Sequence, residues 1–449
     1  MNREVNPIVP PGPLQALGPR ARIAALAEHG SITPLEAPGL SPHLARFGVT
    51  PHPDDGIVTA RVEIAGLQLL LAAQDEGYLG GSVGERHGAA LRTLFERAVD
   101  ERPAGVVLLL ASAGVRLHEA NAAELAFAKA LSALHAACAA GIPVVAICLN
   151  NVFGGASVLA TATDRWAMLP GARVGLSGPK VIESVHGAWE LDTSDPRDID
   201  AVFGATARAQ RLQGDFVLDD VDTLRAWILQ VIRDVPSFEA RVRAKHRLHA
   251  SMLAGAEPRQ RDRPALPCFD DANADASGML WRTERAWLMR PFSREAVTAA
   301  DMHAMDAALL RLLDDGALAS RPLVVIEDSA GHAVSRGAEM SFVSAYFAQH
   351  AAVLALLRTK GVRTIGCLAG VGHSAAFFVN ALQCSELCAL ATARVIAMEP
   401  ASIARVTGVD AAPLIEDDPM LGQPIRHFAR LDPAIRIINE ASLREIGVA

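Results

Sequence analysis

The chain has 449 residues, 51% of them hydrophobic and 20% charged, which is enough to bury two ordinary domain cores and too apolar for a disordered polypeptide. Its formal charge of −8 leaves no basic excess to neutralise phosphates, so broad nucleic-acid binding is excluded. The six cysteines (Cys138, Cys148, Cys268, Cys367, Cys384, Cys388) show no CxxC pair and no zinc-ligand spacing, and five lie in apolar runs, which reads as buried reduced thiols. The N-terminal stretch lacks an apolar signal region, and the most apolar run, Ala136–Leu149, is interrupted by Gly141 and Pro143 and is too short to cross a bilayer. A soluble cytoplasmic protein without a membrane segment is the expectation.

In chain order, the first distinctive segment is "DEGYLGGSVGERHG", Asp75–Gly88. It is neither a GxxxxGK[ST] loop nor a GxGxxG fingerprint with a downstream acid, so nucleotide binding is poorly supported. Its Gly80 and Gly81 suit backbone folded over an acyl chain or carboxylate instead. "VVLLLASAGVRLHEA", from Val106, predicts a strand ending in Ser112-Ala113-Gly114, and Ala122–Ala140 predicts a helix. "GIPVVAICL" predicts a second strand, which runs through Gly154-Gly155 into the alanine-rich helix of "LNNVFGGASVLATATDRW". "LPGARVGLSGP" follows, ending at Pro179, and Asp220–Arg233, apolar at helical spacing, closes the unit. Ala254–Gly278 is charged and turn-rich and reads as a linker.

The same patterns then recur. "LVVIEDSAGHAVSRGAE" is a strand ending in Ser329–Gly331, and a helix is predicted over Glu339–Lys360. "GVRTIGCLAG" is strand-like, "LAGVGHSAAFFVNALQCSEL" repeats the small-residue junction, and "LATARVIAMEP" ends at Pro400. Val106 and Val324 lie 218 residues apart, Gly114 and Gly331 217, and Pro179 and Pro400 221. Landmarks in one order at nearly one offset mark a duplicated unit of about 200 residues. The resulting organisation is residues 1–253, a linker at 254–278, and residues 279–449. Each unit reads strand, helix, strand, helix, strand: α/β architecture with right-handed crossovers, whose ligands bind at the carboxyl ends of the strands.

A strand that ends in Ser-Ala-Gly and enters a helix exposes consecutive backbone N–H groups suited to an anion or a developing oxyanion. The turn at Phe153-Gly154-Gly155-Ala156 offers a second set from the neighbouring strand. Glycines at a single junction would more simply serve tight packing; the recurrence of both junctions in both units favours an oxyanion hole for a thioester carbonyl. Ser112 and Ser329 lie in no GxSxG elbow and are not read as nucleophiles.

These residues carry a family resemblance. "ASAGVRLHEAN", "VFGGAS" and "GLSGPKVIES" resemble the carboxyltransferase branch of the crotonase-like superfamily, and specifically the beta subunit of biotin-independent malonate decarboxylase. "SPHLARFGVTPHPDDGIVTARVEIAG" (Ser41–Gly66), "GGSVGERHGA" (Gly80–Ala89) and "ELDTSDPRDIDAVFG" (Glu190–Gly204) extend the match over most of residues 20 to 235. The second half, over roughly Leu323–Phe428, resembles the gamma subunit through "GVGHSAAF", "AMEPASIARVTG" and "GQPIRHFARL". The chain therefore resembles a beta–gamma fusion: two homologous crotonase-like domains (ββα superhelix, carboxyltransferase type) in tandem.

The resemblance implies decarboxylation of a malonyl thioester on an acyl carrier protein with a phosphoribosyl-dephospho-CoA arm, served by a separate acyl-carrier transferase, with neither biotin nor metal. It also implies self-association and an active site between the two kinds of unit. The oxyanion hole falls on Gly114, Val115, Gly154, Gly155 and Ala156. Gly372, His373, Ser374 and Ala375 form a second set, for the leaving carboxylate or CO2. Gly80, Gly81, Ser112, Ser177, Gly178 and Lys180 line the substrate channel, with Lys180 either meeting phosphate or simply solvated. Arg116 either binds the carboxylate or pairs with Glu119 on a helix face. Three departures stand out: Ala113 where the family has glycine, Ala375 in place of a glycine, and His373 in place of an apolar residue. His373 is read either as the acid that reprotonates the enolate or as a hydrogen-bonded structural histidine. The alternatives are a biotin-dependent acyl-CoA carboxyltransferase and a non-catalytic scaffold. A hydratase or isomerase fits less well, because the paired glutamates of that chemistry are not found.

Overall fold

The computed structural model describes residues 13–211, 215–216, 219–253, 273–275, 279–289, 296–410 and 412–443. In the first half, α1 (Pro19–Leu26) precedes the antiparallel strands β1 (Thr33–Pro34), β2 (Ile57–Ile64) and β3 (Leu67–Gln74). Then come α2 (Glu85–Glu101), β4 (Gly105–Ser112), α3 (Ala120–Ala139), β5 (Val144–Phe153), α4 (Gly155–Ala162), β6 (Arg165–Met168) and β7 (Arg173–Gly175). The half continues through α5 (Pro179–His186), α6 (Pro196–Phe203), α7 (Ala205–Arg211), β8 (Asp215–Phe216), α8 (Val221–Arg233) and α9 (Phe238–Met252). Every residue of β4 is buried, as expected for a central parallel strand covered on both faces.

The second half opens with β9 (Asn273–Ala274), β10 (Leu280–Arg282) and β11 (Trp287–Met289), followed by α10 (Ala299–Asp314) and β12 (Leu323–Glu327). Next are α11 (Arg336–Met340), α12 (Val343–Thr359), β13 (Thr364–Leu368), β14 (Val371–His373) and α13 (Ser374–Val379). It ends with β15 (Glu386–Leu390), β16 (Arg394–Ile396), α14 (Pro400–Thr407), α15 (Ile425–Leu431), β17 (Arg436–Ile438) and α16 (Glu440–Leu443).

The duplication is visible strand by strand. One sheet runs β1-β2-β3-β4-β5-β6-β8 with β7 beside β5; the other runs β9-β10-β11-β12-β13-β15-β17, and β14 pairs with β16 in a separate two-stranded sheet. It reaches further upstream than the sequence landmarks: Leu69 pairs with Gly105 where Trp287 pairs with Leu323, both 218 residues on. The expected linker lies mostly outside the described residues, as does Cys268, but Asn273–Ala274 from within it pair with β10 in the second sheet. The predicted helix over 339–360 is instead two, α11 and α12, broken at Phe342 with φ +57°. Phe342 is held there from the first half, with Trp166 against its ring and the Arg208 guanidinium 4.1 Å from its centroid. The five described cysteines are free thiols, four of them buried.

The halves pack reciprocally. α12 lies on α4, where the Ser157 and Ser344 hydroxyls are 2.8 Å apart. α3 lies on α13, with Phe127 edge-on to Phe378. Val343–Leu357 of α12 is buried without interruption, the mark of a helix apolar on all sides that sits inside a core. One apolar cluster joins Leu131 and Leu134 of α3 to Leu309 of α10 and Phe347 and Leu354 of α12. At about 1.5–3 kcal/mol per large side chain, this shared core outweighs the surface ion pairs between the halves.

Candidate active site

The first site forms where β4 and β5 end. Their register slips between Leu110–Cys148 and Ser112–Val152, which adds backbone to β5 and carries Phe153-Gly154 over the end of β4. Gly114 (φ +95°) and Gly154 (φ +60°) then touch backbone to backbone. A Cβ on Gly114 would lie 3.1 Å from the Phe153 carbonyl oxygen and 3.2 Å from Gly154 Cα, so only glycine fits without moving a loop.

This contact corrects the assignment of donors. The Gly114 N–H donates to Ser112 Oγ at 3.1 Å. The Gly154 N–H is shared between the Gly175 and Leu176 carbonyls, both at 3.1 Å. The two glycines therefore supply shape rather than donors. Among the described residues, the N–H groups of Val115, Gly155 and Ala156 have no hydrogen-bond partner. The latter two open α4, where the helix dipole favours negative charge. Gly155 also needs its missing side chain, since a Cβ there would stand 2.9 Å from the Phe127 ring.

Gly80 and Gly81 (φ +67° and +66°) buttress this loop rather than a ligand: the Gly80 carbonyl accepts the Ala113 N–H at 2.9 Å. Ala113, in place of the family glycine, is exposed beside Gly80 and needs no positive φ. Arg116 does not bind a substrate carboxylate. It is fully buried, bonded to Asp55 Oδ1 at 2.5 Å and to the Asp55 and Ser82 carbonyls, with Glu119 at 3.7 Å. Burial pushes the Asp55 carboxyl up while the Arg116 charge opposes it. The Arg116–Glu119 pairing is present, in the turn before α3 rather than on a helix face.

The second junction has the same framework and a different filling. Asp328 Oδ1 accepts the Val371 N–H at 2.9 Å, and the Ser329 N–H donates to the Val371 carbonyl at 2.8 Å, clasping the Ser329–Gly331 loop to β14. Gly331 (φ +83°) lies under the His373 ring, where a Cβ would meet Cγ at 3.3 Å. The ring turns Nε2 toward Glu399 Oε1 at 3.5 Å. Burial lowers the His373 pKa, with Glu399 and Ala330 opposing. Gly372 packs against Phe377, Ser374 takes φ +45°, and Ala375 is buried. The register of β14 with β16 pairs His373 with Ile396 and commits the Ser374 N–H to the Ile396 carbonyl, as the Gly154 N–H is committed to Gly175 in the first half; among the described residues the Ala375 N–H has no hydrogen-bond partner.

The halves meet at Ser177. Its hydroxyl is 2.9 Å from Nε2 of His332, and its N–H donates to Glu339 Oε1 at 2.7 Å. Glu339 also takes the Leu176 N–H and pairs with Arg208 at 3.2 Å. Burial, helped by the charge of His373, lowers His332 to about 4, so its imidazole is neutral at pH 7. Nearby, His186 Nε2 is 2.6 Å from the Val334 carbonyl, and Val334 and Phe153 both pack against the cluster of Ile182, Leu191, Ile199, Val202 and Phe203. Second-half residues thus reach the loop behind Gly154 within one chain. Gly178 caps α5, and Lys180 on that helix is exposed. His332 and Glu339 escaped the sequence reading. The available signal for His332 was its position: it follows Ser-Ala-Gly in the second repeat as Val115 does in the first.

Among the described residues, no cluster of three or more metal-binding side chains occurs, and no helix is long and apolar enough to cross a membrane.

Residues 16–232 match the carboxyl transferase domain family, and residues 297–432 match the malonate decarboxylase gamma subunit family. The malonyl-S-ACP:biotin-protein carboxyltransferase of Malonomonas rubra is 34% identical over 195 residues, 39% of this chain and 61% of that protein. The acetyl-coenzyme A carboxylase carboxyl transferase subunits beta/alpha of Salinispora tropica are 32% identical over 182 residues, 37% of this chain and 32% of that protein. The chain thus spans about three fifths and about one third of these two curated relatives. Among solved structures, a chain of the Pseudomonas malonate decarboxylase hetero-tetramer in complex with malonate is 33% identical, with 55% of this chain and 93% of that chain covered and a TM-score of 0.49.

Proposed function

We propose that the chain, which matches the carboxyl transferase domain family over residues 16–232 and the malonate decarboxylase gamma subunit family over residues 297–432, is a malonate decarboxylase of fused beta and gamma type that removes CO2 from a malonyl thioester. Loss of CO2 leaves an enolate whose charge sits on the thioester oxygen. Donors aimed at that oxygen stabilise the transition state more than the ground state. The observation that carries the reading is the backbone contact of Gly114 with Gly154, which fixes the unpaired N–H groups of Val115, Gly155 and Ala156 on adjacent loops. One such donor contributes about 3–4 kcal/mol, or a hundredfold to a thousandfold in rate.

The enolate carbon then needs a proton. His373 is our candidate acid, with Ser177 and neutral His332 lining the path between the halves. Because burial lowers its pKa, His373 donates best below neutral pH. Gly372, Ser374 and Ala375 are assigned to the leaving carboxylate, and Gly178 and Lys180 to the thiol arm. The proposed substrate is a malonyl group on an acyl carrier protein bearing a CoA-derived arm, recharged by an acyl-carrier transferase. Association of chains into an oligomer in the cytoplasm completes the proposal.

The printed name of the Malonomonas relative favours a second reading, transfer of the carboxyl group to a biotin protein. Incubation of the purified chain with a malonyl thioester, with and without free biotin or a biotin carrier, separates the two. Release of CO2 without biotin supports decarboxylation. Product that forms only when biotin is present, with carboxybiotin accumulating, supports transfer. No turnover in either arm, where a known decarboxylase is active, leaves only a scaffold.

A further inference from the structure

Glu327 is the last residue of β12 and is completely buried. Its two oxygens are divided between two segments. Oε1 accepts the Ser329 hydroxyl at 2.7 Å, and Oε2 accepts Asn380 Nδ2 at 2.6 Å. Ser329 opens the loop whose Gly331 lies under the His373 ring, where a Cβ would meet Cγ and Nδ1 at 3.3 Å. Asn380 ends α13, the helix that begins immediately after His373. One carboxylate therefore ties together both segments that flank the second junction.

The network continues inward. Asn380 Oδ1 is 3.0 Å from Nε2 of His350, and His350 Nδ1 is 2.7 Å from Asp306 Oδ1. With its amide nitrogen committed to Glu327, Asn380 offers His350 only an acceptor, and Asp306 offers another. Both ring nitrogens must therefore carry protons, so His350 is an imidazolium. Burial pulls its pKa down, but Asp306, Asn380 and Glu327 together carry it above the usual value.

The charged and titratable groups facing Glu327 are His350 on α12, Glu124 on α3, Asp328 and Cys384, with Asp306 on α10 behind His350. Glu124 is buried, one of its oxygens has no partner, and burial beside Glu327 raises its pKa well above normal. Burial likewise pushes Glu327 up, to about 7, against the pull of Ser329 and Asn380. A buried ionisable group of this kind is weak evidence for stability and is well suited to fixing one geometry.

We propose that Glu327 is a positioning residue, which by gripping Ser329 and Asn380 sets the His373 ring for proton delivery to the enolate. This rests on the reading of His373 given above. Misplacing a proton donor by about 1 Å costs up to a hundredfold in rate.

The test is a cycle in the full-length chain: Glu327→Gln, His373→Gln and the double variant, each assayed for CO2 release from a malonyl thioester across pH. Glu327→Gln is expected to lower kcat about tenfold or more with KM within about twofold, and to add nothing in the His373→Gln background. Losses that multiply in the double variant overturn the proposal, as does Glu327→Gln at wild-type kcat. Ser329→Ala, which removes one grip and leaves the Glu327 carboxyl in place, serves if Glu327→Gln fails to fold, with the same non-additivity required. A readout independent of turnover is the NMR titration of His373, assigned by its loss in His373→Gln. Glu327→Gln is expected to move its midpoint by about 0.5 pH units or more, and an unmoved midpoint overturns the proposal. Absence of CO2 release by the wild type overturns the decarboxylase reading instead, while the titration still tests whether Glu327 acts on His373.

Discussion

Gly114→Ala is the substitution for which the structure fixes both direction and size. Position 114 has φ +95°, which costs an L-residue about 1–3 kcal/mol. The new methyl would sit 3.1 Å from the Phe153 carbonyl oxygen and 3.2 Å from Gly154 Cα, closer than ordinary contact and against backbone on both counts. No side chain can rotate away, so the loops must separate by a few tenths of an ångström. That separation moves the Val115 N–H away from those of Gly155 and Ala156. Losing the alignment of one donor costs about 3–4 kcal/mol, so kcat for CO2 release should fall about a hundredfold or more while KM changes little. The melting temperature should fall by only a few degrees. Gly141→Ala is the control: it has φ +82° with nothing within 4 Å of a new Cβ, so it carries strain without collision and should keep full turnover. A folded Gly114→Ala chain working at the wild-type rate would refute the convergent-loop account.

Further outcomes follow from the buried charges. Arg116→Met leaves Asp55 buried without its partner and should destabilise the fold by about 3–5 kcal/mol in urea, with KM of the remaining folded enzyme unchanged. A raised KM at full stability would return Arg116 to the substrate. Turnover should rise as pH falls through the lowered pKa of His373, and His373→Gln should flatten that limb of the kcat profile; a persistent limb assigns the proton elsewhere. Glu327 retains its proton in the fold up to about pH 7, whereas unfolded chain loses it near 4.5. The stability it contributes is therefore complete below pH 4.5 and is lost as pH rises through 7, a change of about 3 kcal/mol. Denaturant melts at pH 5 and 8 should show this slope in the wild type and lose it in Glu327→Gln.

Local patterns carried much of the architecture. Val106 and Val324 mark β4 and β12, and Asp220–Arg233 is α8 to within a residue. The upstream part of the repeat escaped because β10 and β11 are three residues each, too short for alternation to register. The break at Phe342 escaped because its cause, Trp166 and Arg208, belongs to the other half of the chain. The site divides the same way. Its glycines were legible, but which N–H groups remain free depends on the Gly175 and Leu176 carbonyls beyond β6. The Arg116–Glu119 pair was visible at i,i+3, whereas Asp55 lies 61 residues away. His332 had no local signature, and its partner Ser177 is 155 residues distant.

The central claim is an enolate formed by loss of CO2 and protonated on the enzyme. Its most direct test is turnover of a malonyl thioester by the purified full-length chain in D2O, without biotin, with CO2 measured and the product thioester weighed. The account predicts one acetyl thioester per CO2, carrying at least one solvent deuterium at the methyl carbon. Unchanged malonyl thioester, or acetyl thioester that forms only after a biotin acceptor is added, would contradict it.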